Sequence, residues 1–191
     1  MIDRRSIRLT DPAALDLIAA ALDAALAAVD PEEAVVRGLA EIEVEAPETV
    51  LALGKAGPAM TRGALRSLGG ASTVVVVSDH PEPLPAGELL IGSHPVPDEA
   101  SVAAGRALLD AAAHEGNILF LVSGGGSALA EVPADGLTLT DVATVYRLML
   151  AHSVPIEDAN TVRIHLSALK GGRLAAAAPG LVTTLAISDV G

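Results

Sequence analysis

The chain has no cysteine, no tryptophan, one phenylalanine (Phe120) and one tyrosine (Tyr146). Only two of its 12 Lys and Arg residues are lysines, Lys55 and Lys170. Each shortage excludes something. Without cysteine there is no disulfide framework, no thiol nucleophile and no thiolate-bound metal. Without a set of aromatic rings there is no stacking platform for unpaired bases. With 24 carboxylates against 12 Lys and Arg, the net charge is −12. That argues against nucleic acid or an anionic membrane as partner, since both require clustered cations. The start, Met1-Ile2-Asp3-Arg4-Arg5-Ser6, lacks an apolar signal core, and no apolar run is long enough to span a bilayer. These features read as a soluble, cytoplasmic protein. Its acidic, Arg-rich composition fits a halophilic origin or a GC-rich genome equally well. The histidines (His80, His94, His114, His152, His165) show no H-x-x-x-H spacing, so zinc is unsupported.

What is present is a 51% apolar chain of 191 residues, rich in Ala and Val. That is enough for one domain with a sizeable core. Small and β-branched residues suit parallel strands covered by Ala-rich helices. Asp11 to Val29 reads as an amphipathic helix capped by Thr10 or Asp11, with Leu15, Ile18, Ala19, Leu22 and Leu26 on one face. A second helix opens at Asp30-Pro31-Glu32-Glu33. Apolar runs at Thr49–Leu53, Ser72–Ser78, Asn117–Val122 and Leu181–Ile187 read as buried strands, with a short one near Leu89–Gly92. Helices are expected at Pro58–Leu68, Glu99–His114, Asp141–His152 and Pro155–Leu169. The order predicts an α/β fold: a doubly wound, mostly parallel sheet in a Rossmann-like three-layer α/β/α arrangement.

In such sheets, ligands bind beyond the carboxyl ends of the strands. Four strands run into polar or glycine-rich loops there: Gly54-Lys55, Ser78-Asp79-His80, Ser123-Gly124-Gly125-Gly126-Ser127 and Ser188-Asp189. In a parallel sheet these loops share one rim. Three consecutive glycines are entropically costly to order, and their usual return is close approach of main-chain N–H groups to an anion. Ser123 and Ser127 add hydroxyls. Lys55 and Lys170 each sit beside glycine in a chain that otherwise uses arginine, a pattern that suits a site needing a compact ammonium. Asn160, Arg163 and Ser167 are spaced to share a helix face, and Lys170 and Arg173 follow. They read either as an anion-binding basic patch or as cations stabilising a helix C-terminus. Asp189 is a candidate Mg²⁺ ligand or base, or else a helix cap. Neither a Walker A frame nor a G-x-G-x-x-G fingerprint is present, and Ser127 is not in a G-x-S-x-G elbow.

Five segments in order carry a family resemblance: Leu53-Gly54-Lys55-Ala56, Gly92-Ser93-His94-Pro95-Val96-Pro97-Asp98, Leu121 to Leu129 around the glycine triplet, Asn160 to Ala175, and the closing Ser188-Asp189-Val190-Gly191. Together they resemble the N-terminal domain of the glycerate 2-kinases, a class often described as hydroxypyruvate reductase. The resemblance runs from about residue 13 to the end. It implies ATP-dependent phosphorylation of D-glycerate to 2-phosphoglycerate with Mg²⁺. It also implies that residues 1–191 form a single, incomplete Rossmann-like domain whose smaller C-terminal companion is absent from this chain. A homo-oligomer is compatible with it.

Lys55 matches the family's active-site lysine, and the family's active-site arginine belongs to the part absent here. Ser123, Gly124, Gly125, Gly126, Ser127, Asn160, Arg163 and Lys170 are the expected phosphate- or substrate-binding residues, with Asp189 for the metal. The family commonly has Lys where this chain has Ile164, so no role is carried over to that position. The alternatives are an oxidoreductase of the hydroxypyruvate reductase type, disfavoured by the missing dinucleotide fingerprint, and a non-catalytic binding or assembly domain.

Overall fold

The computed structural model describes residues 12–42 and 44–188. The expected caps Thr10 and Asp11, and the candidate metal ligand Asp189, lie outside the described residues. Strands β1 (Thr49–Leu53), β2 (Thr73–Ser78), β3 (Glu88–Ile91), β4 (Ile118–Val122) and β5 (Val182–Ala186) form one sheet in the order β3-β2-β1-β4-β5. Every pairing is parallel.

Strand alternation divides the core in two. Leu51, Leu53, Val75, Val77 and Ile118 meet Ala104, Leu108 and Ala111 of helix α4 (Glu99–Ala112) on one side. Val50, Ala52, Val74, Val76, Leu119 and Leu121 meet Val35 of α2 (Pro31–Glu41) and Met60 and Ala64 of α3 (Gly57–Leu68) on the other. The central strands are apolar on both faces because both faces are covered. Truncating a fully buried residue such as Leu121 to alanine costs about 2–5 kcal/mol.

The chain leaves β1 through α3 on one face and reaches β4 through α4 on the other. The boundary between β1 and β4 is therefore the topological switch point, where a crevice opens beyond the strand ends.

Helix α1 (Pro12–Ala28) departs from the expected amphipathic packing: no residue of it is buried, and Leu17 is 72% exposed. Among the described residues no single helix is long and apolar enough to cross a membrane. Glu32 and Glu33 open α2 above the Asp30 cap, and both reach α3, pairing with Arg62 and Arg66 at 2.7–3.0 Å.

After β4 come a single turn α5 (Gly126–Leu129), α6 (Leu139–Ala151), α7 (Ile156–Leu166) and α8 (Arg173–Ala176). The expected helix Pro155–Leu169 ends early. Ser167 is extended (φ −123, ψ 136) and bridges Pro133. Its hydroxyl receives the N–H groups of Leu169 and Lys170 at 3.1 and 3.3 Å, starting a turn in place of another helical one. Ser167 therefore does not share a helix face with Asn160 and Arg163.

Candidate active site

The loops after β1 and β4 are joined by main-chain hydrogen bonds across the switch point. Ser123 N–H donates to the Leu53 carbonyl and Lys55 N–H to the Gly124 carbonyl, both at 2.9 Å. Ala56 N–H donates to Ser123 Oγ at 3.0 Å. The hydroxyl expected to face a ligand thus accepts a bond that braces the lysine loop. Gly54 makes the approach possible. Its φ is +127°, and a Cβ there would lie 2.3 Å from Ser123 Oγ.

Beyond that junction the triplet is open. A Cβ on Gly124 would meet nothing within 4 Å. The N–H groups of Gly124, Gly125 and Gly126 donate no hydrogen bond among the described residues. The stem of Lys55 lies along Gly125, whose added Cβ would sit 3.2 Å from Lys55 Cγ. The Lys55 ammonium is half exposed and lies 3.6 Å from Asp79 Oδ2 at the end of β2. Asp79 also holds His80, Oδ1 to Nδ1 at 2.7 Å. That hydrogen bond, reinforced by the charge of Lys55, keeps the Asp79 carboxyl below the usual carboxylate range, and Asp79 in turn raises His80. Three of the four expected rim loops therefore meet.

A cleft of about 810 Å³ opens beside this rim. Ser123 through Ser127 line it, with Phe120, Val122 and Thr184 of the sheet, His94, Asn160 and Arg163, the Lys170-Gly171-Gly172 segment and Ser188. Lys55 is not among its lining residues; the Lys55 stem packs beside Gly125, which is. Arg163 is placed by packing: its guanidinium carbon is 4.7 Å from the Tyr146 ring centroid, and one NH₂ group donates to Asn160 Oδ1 at 3.1 Å. Its Nε is buried with no partner among the described residues.

A family model described as "Domain of unknown function (DUF4147)" matches residues 17–191. The chain belongs to the DUF4147 family. It is 40% identical over 187 residues to an Agrobacterium vitis protein named "Putative hydroxypyruvate reductase", covering 94% of this chain and 42% of that one. It is 37% identical over 171 residues to the D-glycerate 2-kinase of Thermotoga maritima, covering 85% of this chain and 41% of that one. The crystal structure of a Thermotoga maritima glycerate kinase superposes with a TM-score of 0.82 at 34% identity, over 94% of this chain and 45% of that one. The chain spans about two-fifths of the length of the curated relatives it matches.

One cation of this DUF4147 chain is not where the basic-patch reading placed it. Lys170 is not part of an open basic patch. Its side chain is 13% exposed, and its ammonium lies 2.7 Å from the carboxylate of the fully buried Glu131. It is also within 3.3 and 3.4 Å of the Ala130 carbonyl and Ser167 Oγ, so its three donors are occupied. Burial pushes Lys170 below the usual lysine range, and Glu131 pulls it back. Arg173 donates to the Ile164 and Lys170 carbonyls at 2.8 and 2.9 Å, closing the end of α7. The helix-end reading of this cluster therefore holds for Arg173.

Glu131 was not among the expected residues, although a carboxylate inside Ala128-Leu129-Ala130-Glu131-Val132 is a readable anomaly. It connects to the glycine loop through Tyr146. The Tyr146 hydroxyl is 3.4 Å from Glu131 Oε2 and donates to the Ser127 carbonyl at 2.8 Å. Burial raises the Tyr146 pKa well above its ordinary value. His94 was also not singled out, and it lines the cleft. Among the described residues no group of three His, Asp or Glu is placed to hold a metal.

Proposed function

We propose that this chain is the Rossmann-like part of a glycerate 2-kinase, which transfers the γ-phosphoryl group of ATP to the 2-hydroxyl of D-glycerate. The observation that carries the reading is the junction of Lys55 with the open glycine triplet at the switch point. It occurs in a chain similar over 85% of its length to a D-glycerate 2-kinase. Phosphoryl transfer asks a protein mainly for positioning and for neutralisation of developing charge. The free amides of Gly124–Gly126 suit an anionic oxygen. The Lys55 side chain is half exposed and its stem runs beside the cleft-lining Gly125, so its ammonium can exchange the contact with Asp79 for a phosphate or carboxylate. Arg163 is the cation in the cleft wall that has no carboxylate bound to it among the described residues.

In the transfer, the glycerate hydroxyl oxygen bonds to the γ-phosphorus, the bond to ADP breaks and the hydroxyl proton is released. Mg²⁺ would supply charge neutralisation on the phosphates, usually through one or two carboxylates. The described residues do not form such a site: Asp79 is engaged by Lys55 and His80, and no three-ligand cluster exists among them. The remaining candidate, Asp189, lies outside the described residues. We place the protein in the cytoplasm, acting on a small molecule, with this chain forming one wall of the active cleft.

The test is formation of 2-phosphoglycerate from D-glycerate and ATP, followed by ³¹P NMR, in a protein of the relatives' length carrying this chain. Wild type should form it, and Lys55→Ala should lose at least about a hundredfold in rate. Full activity in the Lys55→Ala variant removes the assignment. The name of the Agrobacterium relative favours a second reading, and NADH oxidation with hydroxypyruvate in the same preparation would revive it.

A further inference from the structure

His94 differs from the other histidines near the site. His80 is held by Asp79 and Glu82, and His165 by the Thr161 carbonyl. His94 makes no hydrogen bond or ion pair among the described residues, and it lines the cleft with Gly124–Gly126 and Arg163.

Its backbone is fixed on both sides. Gly92 N–H donates to the Ser78 carbonyl at the end of β2 at 2.9 Å. A Cβ on Gly92 would lie 1.9 Å from the Leu129 carbonyl oxygen, so the segment is pressed against α5. Ser93 N–H donates to Ser101 Oγ at 2.9 Å, and the same Ser101 closes a capping box with Asp98. The chain from the end of β2 to the start of α4 is thus clamped, with one unpartnered imidazole in the cleft.

The charges that act on that ring are Lys55 from the β1 loop, Arg163 from α7 and Asp79 from the β2 loop. Asp79 is shared with Lys55 and His80. His94 is exposed overall, but desolvation by its neighbours, together with the two cations, lowers its pKa and favours the neutral imidazole. An anion placed among Lys55, Arg163 and the glycine amides would reverse that field.

We propose that His94 is a ligand-contacting group of the cleft, which takes up a proton as an anion binds and donates a hydrogen bond to it. This rests on the reading of the cleft as an anion site. Proton and anion are then linked: each raises the affinity for the other by the same factor.

The experiment follows the Cε1–H resonances of the five histidines between about pH 5 and 8, the window in which histidine titrates. The chain is studied with and without sulfate, whose charge is constant over that window. The His94 pKa should rise by about one unit, with sulfate affinity falling about tenfold from the acid to the alkaline end. In His94→Gln the affinity should be pH-independent and match the wild-type alkaline value. His80→Gln should keep the pH dependence, which separates this effect from titration of the Asp79 partner. Sulfate binding with the His94 pKa unmoved, or an unchanged pH dependence in His94→Gln, overturns the proposal. If His94→Gln does not fold, the wild-type titration decides alone. Binding of neither sulfate, D-glycerate nor ATP would overturn the anion-cleft reading itself, and this inference with it.

Discussion

The Lys170 ammonium lies 2.7 Å from Glu131, 39 positions earlier, in a setting where the carboxylate has no exposure at all. Burying two charges is tolerable only when they meet with good geometry and their remaining hydrogen-bond capacity is used. Here Lys170 also reaches Ala130 and Ser167, and Glu131 accepts from the Val132 amide at 3.0 Å. The pair ties the Lys170-Gly171-Gly172 wall of the cleft to the chain just after the glycine loop.

Glu131→Ala should therefore destabilise the fold by about 3–5 kcal/mol, since it strands a buried ammonium. Urea unfolding monitored by circular dichroism measures this. Glu131→Met with Lys170→Met should recover most of the loss, because an apolar pair removes both unpaired charges. Equal stability of Glu131→Ala and wild type would show that the pair is solvated.

Gly54 and Gly124 should respond oppositely to alanine. Gly54→Ala places a methyl against Ser123 at a positive φ, and should cost at least about 1–3 kcal/mol in the same unfolding assay. Gly124→Ala meets open space, so stability should change by less than about 1 kcal/mol while the methyl intrudes on the ligand side. ATP affinity measured by calorimetry should then fall in Gly124→Ala despite an intact fold.

The Asp79–His80 contact carries a pH signature. Asp79 is lowered in the fold, so its contribution is present above the unfolded carboxyl pKa and lost as pH falls through the folded value. His80 is raised, so its contribution is complete below the unfolded value and lost as pH rises through the folded one. The two overlap between about pH 4 and 6.5. The stability difference between wild type and His80→Gln should be larger near pH 5.5 than near pH 8.5 (both about mid-window and above it). A difference that is the same at both values contradicts the contact.

Local signals made much of this legible. Val74–Val77 and the apolar runs before Gly54 and Ser123 announce buried strands, and glycine after a strand announces a rim loop. Parallel pairing then brings Lys55 to the glycine triplet, because β1 and β4 are neighbours in register. What stayed hidden depends on partners far away in the chain. Lys170 beside two glycines looks like an available ammonium, and only the fold supplies Glu131. Ser123 looks like a ligand donor until Ala56 claims its oxygen. The end of α7 is set by Ser167 pairing with Pro133, which no helical periodicity contains. The apolar stripe expected on α1 packs against nothing that buries it, because a pattern does not show what covers it.

The central claim is that ligand binds where the β1 and β4 loops meet. Amide NMR spectra of the ¹⁵N-labelled chain titrated with ATP, in wild type and Lys55→Ala, test it most directly. Saturable shifts should concentrate at residues 54–56 and 124–127, and the variant should lose about tenfold or more in affinity. Saturable binding whose shifts fall elsewhere, with affinity unchanged in Lys55→Ala, would contradict it.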